Sequence, residues 1–339
     1  MTAMLEEGDW PTFGWMDDVR PALAEAMAMD EPCVLATLFK VEGSAPRGPG
    51  AQMLFFRTPI ETATKLSNPR QRMHAFGYFS GDCIEGDVAA HAAEVLDTGQ
   101  PRRLHYGLGS PWIDIRLRCG GALHVFLERI MPDNAAAAAL IEAARTRRAV
   151  IWQSDGLSQR TLEADGPLLE WTEAPFTLAR RHDPPRRLIV SGGDPGALAA
   201  AYLGGEALFE TILVRPDGPV SAPPFAVSQY LRDKPDVALA RLGMDRWTAY
   251  LGATHEDEDD LGGCLAALRG GAGYVGMIGA RSRAAGRIAA LEALGATPDE
   301  LARLRLSPGI PGLGKAPWEV ATGIMAEIMQ ALNPASERA

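Results

Sequence analysis

The chain is 339 residues long and carries 33 basic against 43 acidic side chains, a formal charge of −10. At roughly 100 to 200 residues per domain this length predicts two domains. The acidic balance excludes a general nucleic-acid binder, which needs a basic excess on its binding face. No run of about 18 apolar residues exists for a membrane span, and the first residues, MTAMLEEGDW, lack the basic and apolar regions of a secretory signal, so a cytoplasmic protein is expected.

Lysine occurs only at Lys40, Lys65, Lys234 and Lys315, so most positive charge is arginine, whose planar fork suits phosphate or carboxylate. The cysteines Cys33, Cys83, Cys119 and Cys264 form no C-x-x-C pair, which argues against a zinc ribbon or a disulfide framework.

In chain order, Asp18 to Met29 predicts an amphipathic helix and Cys33 to Glu42 a buried strand. The turn-rich Gly43 to Gly50 leads to a second strand, Ala51 to Arg57, and the aperiodic Thr58 to Arg72 reads as an exposed loop. A short strand near Phe76 runs through glycines into a helix from Val88 to Leu96. Ile113 to Ile130 reads as two strands around Cys119-Gly120-Gly121, followed by a helix from Asn134 to Arg147 and a hairpin from Ala149 to Leu162. Pro and charge cluster without apolar period in Thr172 to Arg187, the expected linker. From Leu188 onward strand, glycine turn and helix alternate, which predicts a parallel sheet covered on both faces. The expected fold is therefore α/β: an N-terminal mixed α+β domain, residues 1–180, followed by a C-terminal Rossmann-like, doubly wound parallel-sheet domain, residues 186–339.

The first glycine turn of the second half departs from the dinucleotide fingerprint G-x-G-x-x-G/A. With Gly192 first, Asp194 occupies the second position, placing bulk and negative charge where a pyrophosphate would sit, and Arg215 stands near the place of the ribose-binding acid. Arg215 suits the 2′-phosphate of NADP, but Asp194 opposes it. A strand ending in glycines and opening a helix at Gly276 to Arg283 offers either an anion site through Gly279, Arg281 and Arg283 or tight packing with solvated arginines. In the first half, Gly43-Ser44-Ala45-Pro46-Arg47-Gly48-Pro49-Gly50 is either an anion cradle or a rigid turn. Cys83 lies just ahead of a helix N-terminus, where the dipole favours thiolate, although Asp82, Glu85 and Asp87 oppose it. Two glycine-flanked cysteines without a partner histidine leave soft-ligand binding or redox chemistry open. The acids after Thr254-His255 read as a solvated helix start or as a metal or catalytic loop.

Taken jointly, VLATLFKVEGSAPRGPGAQML (34–54), GYFSGDCIEGDV (77–88), RCGGALHVFLE (118–128), LIVSGGDPGALA (188–199), the TH-x-x-x-x-D element (254–260), YVGMIGARSR (274–283) and PWEVATGIMAEIM (317–329) resemble the XdhC/CoxI family of xanthine dehydrogenase accessory factors. The resemblance implies a non-enzymatic chaperone that binds molybdenum cofactor, protects it while a cysteine desulfurase installs the sulfido ligand, and delivers it to an apo molybdenum hydroxylase of the xanthine dehydrogenase or aldehyde oxidase type. Ser44, Pro46, Arg47, Cys83, Glu85, Cys119, Gly120 and Gly121 fall on the family's motif positions. Cys83 and Cys119 are expected near molybdenum, Arg47 near an anionic group, and Gly279 and Arg281 at the second anion site; no catalytic residue is expected. The family's S-G-G-C is here Ser80-Gly81-Asp82-Cys83, its G-A-G turn is broken by Asp194, and Ser307 to Lys315 fits its glycine pattern only with a shift. The cofactor is expected as molybdopterin in plain or dinucleotide form, the oligomer as a homodimer, and the competing reading is an NAD(P)-dependent oxidoreductase.

Overall fold

The computed structural model describes residues 18–57, 73–81, 83–107, 109–110, 117, 120–163 and 166–333. The chain divides into two compact units, Met1–Pro184 and Pro185–Ala339.

The first unit is built on a five-stranded antiparallel sheet in the order β3-β2-β1-β5-β4, made of β1 (Cys33–Glu42), β2 (Gln52–Arg57), β3 (Met73–Gly77), β4 (Arg102–Tyr106) and β5 (Ala122–Ile130). Strand β1 is central and pairs on one side with β2 and on the other with β5. Val34, Ala36, Leu38, Phe55, Leu123 and Val125 face helix α2 (Glu85–Thr98), which supplies Val88, Ala92 and Val95. Leu35, Leu54, Phe56 and Ile130 face α1 (Arg20–Ala28) and α3 (Ala135–Arg145) on the opposite side. An antiparallel sheet usually alternates apolar and polar residues; coverage of both faces is why Cys33 to Phe39 reads as a nearly continuous apolar run.

A second antiparallel sheet, β7-β6-β9-β8, comprises β6 (Val150–Ser154), β7 (Gln159–Leu162), β8 (Leu169–Glu173) and β9 (Phe176–His182). It corrects the expected linker: most of Thr172 to Arg187 is strand, with β9 pairing both β6 and β8. The charge there is held locally, since Arg180 donates to the Gly50 carbonyl at 2.7 Å and Arg181 pairs with Asp183 at 2.9 Å. Only Leu178 and His182 of β9 are buried, too thin an apolar signal to mark a strand. Sequence reading also missed β4, whose RRLHY is mostly polar, and began α2 three residues late. The predicted strand from Ile113 and the Thr58 to Arg72 loop lie outside the described residues.

Glu128, on β5, is fully buried and joins the two sheets by accepting from Trp152 Nε1 at 3.0 Å, Gln159 Nε2 at 2.9 Å and the Ser154 hydroxyl. Burial pushes its carboxyl up, against the pull of these donors. Glu128→Ala strands buried donors at about 1–3 kcal/mol each, and urea denaturation should show a loss of about 3 kcal/mol.

The second unit is a parallel sheet in the order β12-β11-β10-β13-β14-β15. Its strands are β10 (Arg187–Gly192), β11 (Glu210–Val214), β12 (Gln229–Leu231), β13 (Thr248–Ala253), β14 (Tyr274–Met277) and β15 (Leu304–Leu306). Numbered within the unit this is 3-2-1-4-5-6, the Rossmann order. Helices α4 (Pro195–Glu206) and α9 (Pro317–Leu332) cover Leu188, Val190 and Leu251, while α5 (Pro235–Leu242) and α6 (Asp257–Arg269) cover Ile189, Ile212 and Tyr250. Helices α7 (Ala284–Ala293) and α8 (Pro298–Arg303) connect β14 to β15. The fold class expected from the alternation is thus what forms, and strand order reverses between β10 and β13.

Candidate functional site

Antiparallel pairing gathers the glycine loops of the first unit at one end of its sheet. The register sets Glu42 beside Ala122, Met53 beside Gly77 and Tyr106 beside Leu123, so the ends of β1, β3 and β4 and the starts of β2 and β5 share one rim. Gly121 is packed so closely that a Cβ would run into the Ser44 and Glu42 carbonyl oxygens. Gly77, at φ +82°, sits equally tightly on the Gln52 carbonyl. Gly121→Ala should therefore move the Ser44 loop and lower stability by about 2 kcal/mol, as overpacking does, measured by thermal unfolding.

The turn into α2 is organised by one carboxylate. Glu85 is 7% exposed; its Oε1 accepts from the backbone N–H of Phe79 at 2.9 Å, Ser80 at 2.7 Å and Gly81 at 3.1 Å, and its Oε2 accepts from the Ser80 hydroxyl at 2.6 Å and Ile84 N–H at 3.2 Å. The Ser80 oxygen in turn accepts from the N–H of Cys83 at 2.9 Å and of Ile84 at 3.1 Å. Burial pushes the Glu85 carboxyl up, but these donors hold it below its ordinary range. Glu85 is among the expected ligand contacts; in the structure both of its oxygens are engaged by the loop they close.

The loop leaves Cys83 exposed, one residue before the α2 N-cap Ile84. Cys33 and Cys264 are buried, and burial pushes the Cys33 thiol up to about 12 and that of Cys264 up as well. A buried neutral thiol is inert and an exposed one near a helix N-terminus is available to a metal or an electrophile. Cys119 and Asp82 lie outside the described residues. Gly120, beside Cys119 in sequence, is exposed at φ +74°. Arg47 places its guanidinium 4.7 Å from the Tyr78 ring centroid, a cation–π contact that joins the Ser44 loop to the Cys83 loop. Ser44 is exposed on the same loop. The structure thus brings Ser44, Arg47, Cys83, Glu85, Gly120 and Gly121 to one rim.

A polar chain runs behind this rim that sequence reading missed. Asp87 accepts from the Tyr106 hydroxyl at 2.7 Å and faces His91 Nε2 at 3.5 Å, while Arg102 donates to His91 Nδ1 at 2.8 Å and pairs with Glu94. Arginine only donates, so Nδ1 accepts and Nε2 carries the proton toward Asp87. The i, i+4 spacing of Asp87 and His91 on a helix was the available signal.

Gly279 and Arg281 belong to the second unit. Gly279, at φ +155°, packs against the Arg287 guanidinium, and Arg281 is exposed in a single 3₁₀ turn, Arg281–Arg283, ahead of α7. Asp194 caps α4, accepting from Gly196 N–H at 2.6 Å and Ala197 N–H at 2.9 Å. Among the described residues no group of three or more His, Cys, Asp or Glu is placed to hold a metal ion. No helix among them is long and apolar enough to cross a membrane.

Two family models match the chain: the XdhC and CoxI family over residues 26–107, and the XdhC Rossmann domain over residues 188–328. A relative from Escherichia coli (strain K12), named molybdenum cofactor insertion chaperone PaoD, is 35% identical over 117 residues, 34% of this chain and 32% of that protein. That match therefore spans about a third of the relative's length. A relative from Bacillus subtilis (strain 168), named as a probable subunit of xanthine dehydrogenase, is 24% identical over 330 residues, 88% of this chain and 93% of the relative. The crystal structure of a protein from Bacillus halodurans described as a xanthine dehydrogenase shares the fold, with a TM-score of 0.71 and 21% identity over 92% of this chain and 95% of that one.

Proposed function

The chain belongs to the XdhC and CoxI family, and on that premise we propose that it is an accessory protein that binds molybdenum cofactor, shields it during sulfuration and delivers it to an apo molybdenum hydroxylase. The observation that carries this reading is the exposed Cys83 thiol, held at a helix N-terminus by a loop closed around Glu85. Molybdenum is soft enough to accept thiolate, and the pterin's phosphate suits arginine and backbone N–H groups. Cys83 and Cys119 would meet the metal end, with Arg47, Ser44, Gly120 and Gly121 around the anionic part. The relative named a molybdenum cofactor insertion chaperone supports carriage over turnover.

In this proposal residues 1–180 form the cargo domain and residues 186–339 a separate Rossmann-like domain. The protein works in the cytoplasm as a homodimer, receives sulfur chemistry from a cysteine desulfurase, and carries either the plain or the dinucleotide cofactor. The Cys83 loop fixes where the thiol points, and the Arg47–Tyr78 contact fixes the second loop against it. To test this, the protein is expressed in a host that makes the cofactor, purified, and assayed for molybdenum and for pterin fluorescence after oxidation. Both are expected in comparable amounts. Absence of both, with no binding when free cofactor is supplied, overturns the reading.

A further inference from the structure

The second unit contains a polar crevice that cofactor carriage leaves unused. It lies at the carboxyl ends of β10 and β13, where strand order reverses, the position at which open α/β sheets hold ligands. Three observations define what fits there. Asp194 Oδ1 already takes the N–H groups that open α4, so the place of a dinucleotide's pyrophosphate is filled by a fixed carboxylate. Asp194 Oδ2 reaches across the crevice to His255 Nε2 at 2.7 Å, and His255 is held at φ +68°, a left-handed conformation that a non-glycine residue adopts only when its surroundings impose it. Asp260 anchors the preceding residue, accepting from Thr254 N–H at 2.9 Å and the Thr254 hydroxyl at 2.8 Å. At the end of β11, Arg215 lies against the Gly193 backbone and makes no side-chain hydrogen bond or ion pair among the described residues.

Two buried charged side chains, Asp260 and Arg287, hold the carboxyl ends of β13 and β14. Asp260 is 0% exposed with Oδ2 lacking a hydrogen-bond partner, and Arg287 is 5% exposed with Nη1 on the Ile278 carbonyl at 2.9 Å and Nη2 in an ion pair with Asp257 at 3.9 Å. These atoms are closed to solvent, and the opposite charges of Asp260 and Arg287 act on each other, so the pair braces the Thr254–His255 turn from below.

We propose that the crevice binds a nucleoside monophosphate and refuses dinucleotides, with Arg215 receiving the phosphate and the Asp194-oriented His255 receiving a sugar hydroxyl. When the imidazole is neutral and gives its Nε2 proton to Asp194, Nδ1 is left as an acceptor. A hydroxyl donor suits that nitrogen, and the arginine fork suits a phosphate dianion.

Calorimetric titration of the full chain in phosphate-free buffer tests this with adenosine, cytidine and guanosine 5′-monophosphates, inorganic phosphate and NADP⁺. At least one monophosphate should bind with a Kd below about 100 μM, with NADP⁺ and inorganic phosphate at least about tenfold weaker. Arg215→Gln, which retains packing against Gly193, should weaken nucleotide binding about tenfold while the melting temperature holds. His255→Ala should erase preference for the ribonucleotide over its 2′-deoxy or 3′-deoxy form. Asp194→Gly should free the α4 N-terminus and raise NADP⁺ affinity. Absence of monophosphate binding, equal binding of inorganic phosphate (an adventitious anion only), equal or tighter binding of NADP⁺ by the unaltered chain, or indifference to Arg215→Gln each overturns the proposal. Molybdenum and pterin content is read in parallel and is independent of these outcomes.

Discussion

Cys83→Ser is expected to lower the molybdenum retained after purification at least about tenfold, because serine keeps the shape but loses the soft donor. The side chain is exposed, and the hydrogen bond that anchors this residue runs from its backbone N–H to Ser80, which serine preserves. Melting temperature should therefore stay within the small range of surface substitutions, about ±0.5 kcal/mol. Thiol labelling gives a second readout. Cys33 and Cys264 are buried and held neutral, so a rapidly reacting thiol should disappear in the variant while those two stay silent until unfolding. Unchanged molybdenum content in Cys83→Ser would remove this thiol from the site.

Glu85→Ala should have the larger structural effect. It deprives four backbone N–H groups and the Ser80 hydroxyl of their acceptor, and a loss of about 3 kcal/mol is expected from hydrogen bonds to a charged group in a largely buried setting. Cofactor retention should fall with it even in the fraction that stays folded, since Cys83 is then no longer fixed. The sign of the pH dependence follows from the lowered carboxyl. The folded pKa lies below the unfolded value of about 4.3, so the stabilisation is complete above that value and is lost as pH falls through the folded pKa. Urea midpoints for the unaltered chain should drop below about pH 4, and the difference between it and Glu85→Ala should narrow there. A constant difference down to about pH 2 would show that Glu85 ionisation does not hold the loop.

Much of this was readable in the residues. Cys33 to Glu42 forms its strand end to end as the apolar run implies. Asp194 was legible as an obstacle from charge alone; its role as both helix cap and histidine partner was not, because His255 is 61 residues away. The setting of Glu85 was hidden for a related reason: a carboxylate in a glycine loop reads as a candidate ligand contact, and the five donors turned toward it leave no mark in the sequence. Half of the second sheet of the first unit was legible as the hairpin Ala149 to Leu162, which forms β6 and β7; β8 and β9 were hidden because they bury few apolar side chains and β9 carries Arg180 and Arg181. The approach of Gly121 to Ser44 joins residues far apart in the chain and leaves only a glycine as its trace.

The rim of the first unit has an evolutionary consequence. Its loops join the ends of strands whose interiors are packed on both sides, so residues exposed on the rim and residues that stabilise the body are largely separate sets. Loop sequence between strand ends can drift, lengthen or exchange a charge without disturbing the register of β1 with β2 and β5. What the rim meets can thus change at one end of the sheet while the body keeps its packing, with Glu85 and Gly121 as the points where loop and body are tied together.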